Sequence, residues 1–583
     1  MNLSRQPAAS GVPKLLADAR ACLTKNDHLQ AAQLLQRARG LEPQNDKVLL
    51  ELGRVHALSY DFAAAERCFE NAVHISPSKV NAILTVGHHW MEIRNFEAAT
   101  RYFEMGLKFE PVGLVTLVRL SEMYGRLRRL EEAVAISERA LREYPCHEGA
   151  LLARGKALRQ MRRFEEAELV LLQIVSNLSF PTEARAAAGY ELGAVLDARE
   201  CYDEAMEAFI EAKTLLRGDA VPMMKTFRDK QGHLKQMRGG ITEKLLRAWE
   251  RVGQSELQPA RNIALLCGYP RSGTTLLEYV IDSHPDVVSA DETSVFQNKA
   301  YFEISRNLSE TTPYTSALEA LSPRTVRQIR TEYFRGIESF LGEPVGNRLL
   351  LDKNPAMTFD MPAMCRVFPE SRFLVALRDP RDVCLSCFMQ AWPVLPDTLP
   401  WLSPEGTVDN YVAVMGLWLA LKPALGNRAL EVRYEDMVEN LEANARRTLG
   451  FLELPWNEQV LRFNESARTK VVRSPTYVEV AKPVYKTAIG RWKNYQKHFE
   501  PHFEKLAPFL KAFGYGMVAF LCMIRNAGML MLFWALMALS LLRASGAERN
   551  SQPTPRKSSQ PARRSSGVVQ TFARRIVARE FQA

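Results

Sequence analysis

Proline recurs at a fixed interval of 34 residues in the amino-terminal part of the chain, at positions 43, 77, 111 and 145. Because proline lacks a backbone donor and clashes with the preceding helical turn, it ends a helix at each of these positions. A constant period of this length indicates small helical units that stack side by side and share a continuous core. The chain is therefore expected to begin with an elongated, all-helical array.

Small side chains recur with the same 34-residue period as these prolines. A small residue stands twelve positions before an alanine, as at Gly53 and Ala65, and a large residue such as Phe69 follows four positions later. Each unit is then two short helices that cross where the small residues leave room. The 34-residue spacing is interrupted once, and the pattern of small and large residues resumes at Gly193. This gives six units between residues 12 and 216.

This period and these positions resemble those of tetratricopeptide repeats. The resemblance implies that residues 12–216 form an all-α superhelix whose concave face binds a protein or peptide partner. A spacer or dimerisation scaffold without a peptide ligand is the alternative interpretation. Residues 217–260 lack the repeat, and the apolar spacing of EKLLRAWERV (243–252) predicts a helical linker packed on one neighbour.

The pattern of apolar residues changes after residue 261. IALLC (263–267) is a short apolar run suited to a central parallel strand, and GYPRSGTT (268–275) leads from it into an apolar helix. Such a strand, turn and helix direct backbone N–H groups and the positive helix end at one anion. Thr274 stands where a nucleotide triphosphatase has lysine, which argues against ATP or GTP hydrolysis.

A second strand, turn and helix, FLVALRDPRDVCLSCF (373–388), carries Arg378 just after the strand and Ser386 eight residues further on. Together with RSGTT (271–275) it resembles the nucleotide-sulfate signature of sulfotransferases. The resemblance implies an α/β P-loop-like domain with a parallel central sheet over residues 261–515. It also implies 3'-phosphoadenosine 5'-phosphosulfate (PAPS) as co-substrate, with Arg378 and Ser386 on its 3'-phosphate, and no metal ion.

Further segments fit the same family in the same order. They are SADETSVF (289–296), LDKNP (351–355), VRYEDMVENLEANARRTLGFLELPWNE (432–458) and VAKPVYKTAIGRWKNY (480–495). Glu292 lies 21 residues after Arg271, the spacing at which tyrosylprotein sulfotransferases carry their catalytic carboxylate. The resemblance thus implies Glu292 as the base, with Lys353 and Arg271 near the transferring group. The implied nucleotide contacts are Arg271, Ser272, Gly273, Thr274, Thr275, Arg378, Ser386, Tyr434, Lys482, Gly490 and Arg491.

The motifs do not identify the molecule that receives the sulfuryl group. Ser294 stands where tyrosylprotein sulfotransferases have arginine, and we expect neither the amino-terminal anchor nor the disulfides of those enzymes. A protein tyrosine, a glycan and a small hydroxyl compound are all compatible with the motifs. The competing interpretations are an interaction scaffold with an inactive sulfotransferase-like domain, and a nucleotide kinase on the same loop architecture, which the absent lysine opposes.

Charge and cysteine content limit the kinds of ligand and the cellular compartment expected for this protein. The net charge is +10, but residues 543–583 hold nine Lys and Arg against two acids, so most of the excess belongs to the tail and predicts no nucleic-acid binding. The nine cysteines are scattered, and the close pair Cys384 and Cys387 has no second pair at zinc spacing. We therefore expect no metal site and a cytoplasmic protein with reduced thiols.

The carboxyl-terminal end is unusual for an enzyme of this kind. Residues 516–542 are apolar except near Arg525, which makes them a candidate membrane anchor that lies in the interface rather than spanning the bilayer. The tail, residues 543–583, is basic and rich in Ser, Pro and Gln, and is expected to be disordered against an anionic lipid surface.

Overall fold

The computed structural model describes residues 11–24, 27–109, 112–305, 312–467 and 487–515. The chain divides into two compact units, Met1–His502 and Phe503–Ala583. The apolar segment 516–542 and the basic tail 543–583 lie outside the described residues, so the membrane anchor proposed there stays a prediction. Among the helices within the described ranges, none combines the length and the hydropathy needed to cross a bilayer.

The amino-terminal part of the described chain is a stack of twelve helices in six successive pairs. The pairs are α1 (Val12–Leu23) and α2 (His28–Leu41), α3 (Asp46–Leu58) and α4 (Phe62–Ile75), α5 (Lys79–Glu92) and α6 (Phe96–Gly106), α7 (Leu114–Arg126) and α8 (Leu130–Glu143), α9 (Glu148–Gln160) and α10 (Phe164–Ser176), and α11 (Thr182–Ala198) and α12 (Tyr202–Leu215). The all-helical repeat architecture predicted from the prolines is confirmed.

Small residues on the first helix of a pair receive a large side chain from the second. A Cβ on Gly53 would lie 2.4 Å from the ring of Phe69, and one on Gly87 would lie 2.5 Å from the ring of Phe103. In the fourth pair Ser121 replaces the glycine, and its hydroxyl donates to the carbonyl of Ala133 at 2.7 Å. The glycine-to-phenylalanine spacing in the sequence is therefore a packing contact within the second, third and sixth repeats.

The turn between the two helices of a pair has the same backbone in successive repeats. Tyr60, Arg94, Arg128 and Arg162 occupy equivalent positions 34 residues apart and have φ angles of 63°, 60°, 61° and 62°. Because stacked repeats place equivalent positions along one edge, these residues form a row at the edge of the stack. We call this row the turn edge.

The predicted linker is helical and packs along the second domain. It comprises α13 (Arg217–Ala220), a 3₁₀ turn (Val221–Met223), α14 (Met224–Gly240) and α15 (Glu243–Glu256). Leu246 and Trp249 of α15 are buried, and a Cβ on Gly253 would lie 2.4 Å from the ring of Pro369. The linker thus belongs to the packed body of the protein.

The second domain is built on five parallel strands in the order β2-β3-β1-β4-β5. The strands are β1 (Ile263–Gly268), β2 (Val287–Asp291), β3 (Leu349–Lys353), β4 (Arg372–Leu377) and β5 (Ala429–Arg433). Its helices are α16 (Thr274–Asp282), α17 (Phe302–Ser305), α18 (Tyr314–Glu319), α19 (Pro323–Leu341), α20 (Met361–Val367), α21 (Pro380–Phe388), α22 (Pro404–Leu425), α23 (Tyr434–Glu439), α24 (Leu441–Phe451), α25 (Phe463–Ala467) and α26 (Gln496–Phe499). The parallel central sheet expected from the sequence is confirmed.

The strand order determines where a ligand can bind. After β1 the chain moves outward to β2 and back to β3 on one side, then crosses to β4 and β5 on the other side. The crossover directions therefore diverge between β1 and β4, and in open α/β sheets this point leaves a crevice at the carboxyl ends of the strands. In the second unit, α27 (Ala507–Ala512) is the described helix, and Phe509 packs near Phe513 with ring centroids 6.1 Å apart.

A buried lysine lies where the last repeat meets the second domain. Lys213 of α12 is 1% exposed, and its ammonium donates to the hydroxyl of Tyr190 at 3.3 Å and lies 4.8 Å from the ring centroid of Phe388. Burial lowers the pKa of Lys213 to about 7. The charged form is therefore unfavourable at this interface.

We expect Lys213→Met to raise the thermal unfolding midpoint at pH 6, because the protonated lysine is destabilising when buried. Between pH 7 and 10.5 the folded protein releases this proton while the unfolded chain keeps it, so wild-type stability rises with pH. The advantage of the variant should shrink by up to about 1.4 kcal/mol per pH unit in that window. Thermal melts at pH 6 and pH 9 test this, with the exposed Lys235→Met as control; an advantage equal at both pH values contradicts it.

Candidate active site

The predicted site residues lie where strands of the sheet end. The glycine-rich turn follows β1, Glu292 follows β2, Lys353 is the last residue of β3, Arg378 follows β4 and Tyr434 follows β5. Because the carboxyl ends of parallel strands meet along one edge, side chains far apart in sequence converge there. The sheet therefore gathers the sulfotransferase-like segments into one place.

The turn after β1 has a backbone suited to an anion. Arg271 and Gly273 have φ angles of 72° and 91°, and α16 begins at Thr274. Left-handed residues at a turn gather successive N–H groups on one side, and the helix adds its positive end. A Cβ on Gly273 would lie 2.6 Å from Cδ2 of Tyr434, so glycine is required for that ring to cover the turn. Ser272 stabilises the turn from inside, donating to the carbonyl of Tyr269 at 2.6 Å.

Two arginines extend the cationic lining beyond the turn. The Arg271 Nε donates to the hydroxyl of Ser386 at 3.0 Å. The Arg378 guanidinium donates from Nη1 to the carbonyl of Arg271 at 3.3 Å and from Nη2 to the carbonyl of Ala488. It also lies 5.2 Å from the ring centroid of Tyr434. The predicted pair Arg378 and Ser386 is thus joined to the glycine-rich turn through Arg271.

The site fits an anionic ligand on two observations. The Nε of Arg378 is buried and has no hydrogen-bond partner among the described residues, although a buried donor without a partner is costly. The glycine-rich turn supplies further donors beside it. A phosphate or sulfate oxygen would satisfy both, so these residues fit the nucleotide that the motifs imply.

The segment around Gly490 is held against α21. Asp382 accepts hydrogen bonds from the backbone N–H of Gly490 at 2.7 Å and of Trp492 at 2.8 Å. Arg491 between them forms an ion pair with Asp197, at the end of α11 in the repeat stack. Lys482, predicted to bind the nucleotide, lies outside the described residues.

Glu292 has an unusual backbone and a fixed carboxylate. Its φ angle of 49° is costly for a residue with a side chain, and its N–H donates to the carbonyl of Lys353 at 2.8 Å. The Lys353 ammonium lies 3.1 Å from Oε1 of Glu292. Arg94, from the turn edge of the repeats, lies 3.2 Å from Oε2. Each carboxylate oxygen therefore has its own cation.

Lys353 is fully buried beneath Glu292 and does not line the cleft. Besides Glu292 it contacts Glu278 of α16 at 3.1 Å and Asp291 of β2. Burial opposes the charge, but the three carboxylates outweigh it and raise the pKa of Lys353 well above its usual value. Burial also raises the pKa of Glu278, with Asp291 adding to the effect and Lys353 opposing it.

The cleft at this edge has a volume of about 780 Å³ and is lined by both parts of the protein. The predicted residues that line it are Arg271, Gly273, Thr274, Thr275, Glu292, Arg378, Ser386, Tyr434 and Arg491. Ser272 and Lys353 are buried, and neither they nor Gly490 line the cleft. Arg94, Arg162 and Asp197 line it from the repeat stack and were not predicted. The recurrence of arginine 34 residues apart was the available signal, but it does not show which way the turns face.

Aromatic residues line another part of the cleft. Trp392 and Trp401 have ring centroids 4.7 Å apart, and both contribute to the lining. The indole of Trp401 donates to the hydroxyl of Tyr269 at 2.9 Å, which fixes its orientation. Within the described ranges, His, Cys, Asp and Glu form no group of three or more that could hold a metal ion.

Comparison with known proteins identifies the class of the second domain. Residues 264–458 match the model of the Sulfotransferase family. An uncharacterised protein of Aquifex aeolicus is 25% identical over 347 residues, covering 58% of this chain and 43% of that protein. Protein-tyrosine sulfotransferase 1 of Danio rerio is 27% identical over 232 residues, covering 39% and 64%. Protein-tyrosine sulfotransferase of Drosophila melanogaster is 28% identical over 233 residues, covering 39% and 46%.

Solved structures give weaker similarity. The sulfotransferase domain of the Synechococcus PCC 7002 olefin synthase has a TM-score of 0.30 at 20% identity, covering 40% of this chain and 88% of that domain. Mouse sulfotransferase SULT7A1 complexed with PAP has a TM-score of 0.27 at 15% identity, covering 44% and 88%.

The match to the family model therefore identifies a sulfotransferase domain in the carboxyl-terminal half of the chain. It follows a long helical stack consistent with tetratricopeptide-like repeats. The matches span between 43% and 64% of the lengths of the curated relatives named above.

We expect Lys353→Met to lower the free energy of unfolding by about 3 to 5 kcal/mol, because it leaves buried carboxylates without their cation. Glu278→Gln, which mimics the protonated carboxyl, should cost less than about 1 kcal/mol at neutral pH. Urea unfolding followed by tryptophan fluorescence compares the two. Equal losses in both variants would show that the ammonium group is not what stabilises this cluster.

Proposed function

We propose that the protein is a sulfotransferase that moves the sulfuryl group of PAPS to a hydroxyl acceptor. The observation that carries the proposal is that one cleft contains the anion-binding turn, the unpartnered Nε of Arg378 and the carboxylate of Glu292. An anion site alone would suit many nucleotides, whereas a carboxylate facing it supplies a base for a hydroxyl. The family model and the protein-tyrosine sulfotransferase relatives support this reaction.

We assign the nucleotide contacts from the resemblance to sulfotransferase motifs, and the lining of the cleft supports them. Arg271, Thr274 and Thr275 are assigned to the 5'-phosphosulfate, because they surround the start of α16. Arg378 and Ser386 are assigned to the 3'-phosphate, with Arg491 beside them. The other assignments made from the sequence are Ser272 and Gly273 for the shape of the turn, Tyr434 over it, and Lys482 and Gly490 in the closing segment.

In this proposal the protein promotes the reaction by positioning the reactants and by stabilising the charge that develops on them. When bound, PAPS supplies the sulfuryl group and its bisphosphate is the leaving group. Glu292 accepts the proton of the acceptor hydroxyl through the oxygen that faces the cleft. Arg271 and the N–H groups of the turn stabilise charge on the non-bridging oxygens. Lys353 holds Glu292 from below, and the place near the transferring group that the resemblance implies for it stays a prediction.

The acceptor is proposed only as a class. The neighbouring indoles of Trp392 and Trp401, tilted by 43° to each other, offer an apolar lining that suits an aromatic ring or a sugar ring. A protein tyrosine, a glycan and a small hydroxyl compound therefore all fit. A protein or peptide partner on the concave face of the repeats, a cytoplasmic location and a membrane surface at residues 516–583 belong to the same proposal.

Binding of 3',5'-adenosine bisphosphate tests the nucleotide site. We expect micromolar affinity by calorimetry, much weaker binding of ATP, and at least a tenfold loss of bisphosphate affinity in Arg378→Ala, because a buried phosphate contact is removed. Arg372→Ala, at the opposite end of the same strand β4, is the control and should bind normally. No binding by a folded wild-type protein would overturn the proposed donor.

Sulfuryl transfer tests the base. With ³⁵S-labelled PAPS and a panel of a tyrosine peptide, an oligosaccharide and 4-nitrophenol, Glu292→Gln should lower turnover by about 100-fold or more. Bisphosphate affinity should stay within about twofold, because Glu292 is not assigned to the nucleotide. Turnover of the variant within about threefold of wild type would remove Glu292 from the role of base.

A further inference from the structure

Two neighbouring turns of the repeat stack contact the loop that carries Glu292. The Tyr60 hydroxyl accepts a hydrogen bond from the backbone N–H of Ser294 at 3.0 Å. The Tyr60 carbonyl accepts one from the hydroxyl of Ser339 at 2.6 Å, and its ring meets Phe340 edge-on at 5.2 Å. The repeat stack is thus docked on the sulfotransferase domain next to the proposed base.

Arg94 occupies the equivalent position in the next turn and reaches the base itself. Its Nη1 lies 3.2 Å from Oε2 of Glu292, while Lys353 holds Oε1 from the buried side. The side chain of Glu292 is 20% exposed and that of Arg94 is 46% exposed. Lys353 therefore anchors the carboxylate from below, and Arg94 holds its other oxygen at the cleft surface.

We propose that Arg94 is a positioning residue for Glu292, so that the helical repeats supply part of the sulfotransferase active site. The proposal rests on the function proposed above. It assigns the repeats a role in the chemical step, besides any partner that they bind.

The chemistry of a carboxylate is compatible with such a contact. A carboxylate oxygen can accept two hydrogen bonds. Oε2 of Glu292 can therefore accept one from the hydroxyl group that receives the sulfuryl group, while Arg94 donates the other. The left-handed backbone of Glu292 is costly and persists only where surrounding contacts impose it. Tyr60 and Arg94 supply two such contacts from the repeats, and Lys353 supplies the others. A carboxylate displaced by about 1 Å loses about 100-fold in rate.

The experiment compares Arg94→Ala, Arg94→Lys and Arg128→Ala in the full chain. Arg128 has the same backbone position in the next turn but does not line the cleft, which makes it the matched control. We measure bisphosphate affinity, the rate of ³⁵S transfer at saturating PAPS, and hydrogen–deuterium exchange of the segment 289–296. Millimolar guanidinium is then added to Arg94→Ala, since the exposed site leaves room for a small cation.

We expect Arg94→Ala to lower the maximal transfer rate by about 10- to 100-fold with bisphosphate affinity within about twofold. Arg94→Lys and added guanidinium should each recover part of the rate. Exchange of the segment 289–296 should become at least about threefold faster in Arg94→Ala and stay unchanged in Arg128→Ala. A general loss of structure would lower bisphosphate affinity together with the rate.

Three outcomes separate the two proposals. An active wild type with Arg94→Ala equal to Arg128→Ala overturns the positioning role and leaves the proposed function standing. A rate lost in Arg94→Ala together with bisphosphate affinity also overturns it, because the nucleotide site is then disturbed. A wild type that transfers sulfate to no acceptor overturns the proposed function and the positioning role with it.

Discussion

A single buried ammonium group connects the parts of the sulfotransferase domain whose relative position must be fixed. Lys353, at the end of β3, pairs with Glu278 of α16 and with Asp291 and Glu292 at the end of β2. α16 is the helix that begins at the anion-binding turn, so the same lysine relates that turn to the proposed base. Removing the ammonium group would leave buried carboxylates in a medium that solvates their charge poorly. The relative position of the proposed nucleotide site and the proposed base therefore depends on Lys353.

The repeat stack is held to the domain at two places on the cleft. Arg94 and Tyr60 contact the loop after β2, whereas Asp197 pairs with Arg491 and accepts a hydrogen bond from the hydroxyl of Tyr495 at 2.6 Å. Lys213 is buried in the same interface as Asp197, near Phe388 of α21. The amino-terminal half of the chain is thus a wall of the cleft as well as a separate array of repeats.

Much of the fold could be predicted from local patterns. The 34-residue interval of proline and the small-to-large spacing predicted the helical stack, because a helix break at proline and the contact between a small and a large side chain are both local to one repeat. The apolar runs before Arg271 and Arg378 gave the central strands and the anion-binding edge. The contributions of Arg94 and Asp197 could not be predicted, since they depend on how the stack docks on the domain. The burial of Lys353 was equally hidden, because an isolated lysine in a sequence is usually solvated.

A stack of repeats bends as a whole, because its curvature is the sum of small rotations between neighbouring units. Here the third and sixth units each contact a residue that lines the cleft, Glu292 and Arg491 respectively. The span of superhelix between these two units therefore lies across the cleft. A change in its pitch would alter the separation between Glu292 and Arg491, so the curvature of the repeat stack helps to set the width of the cleft.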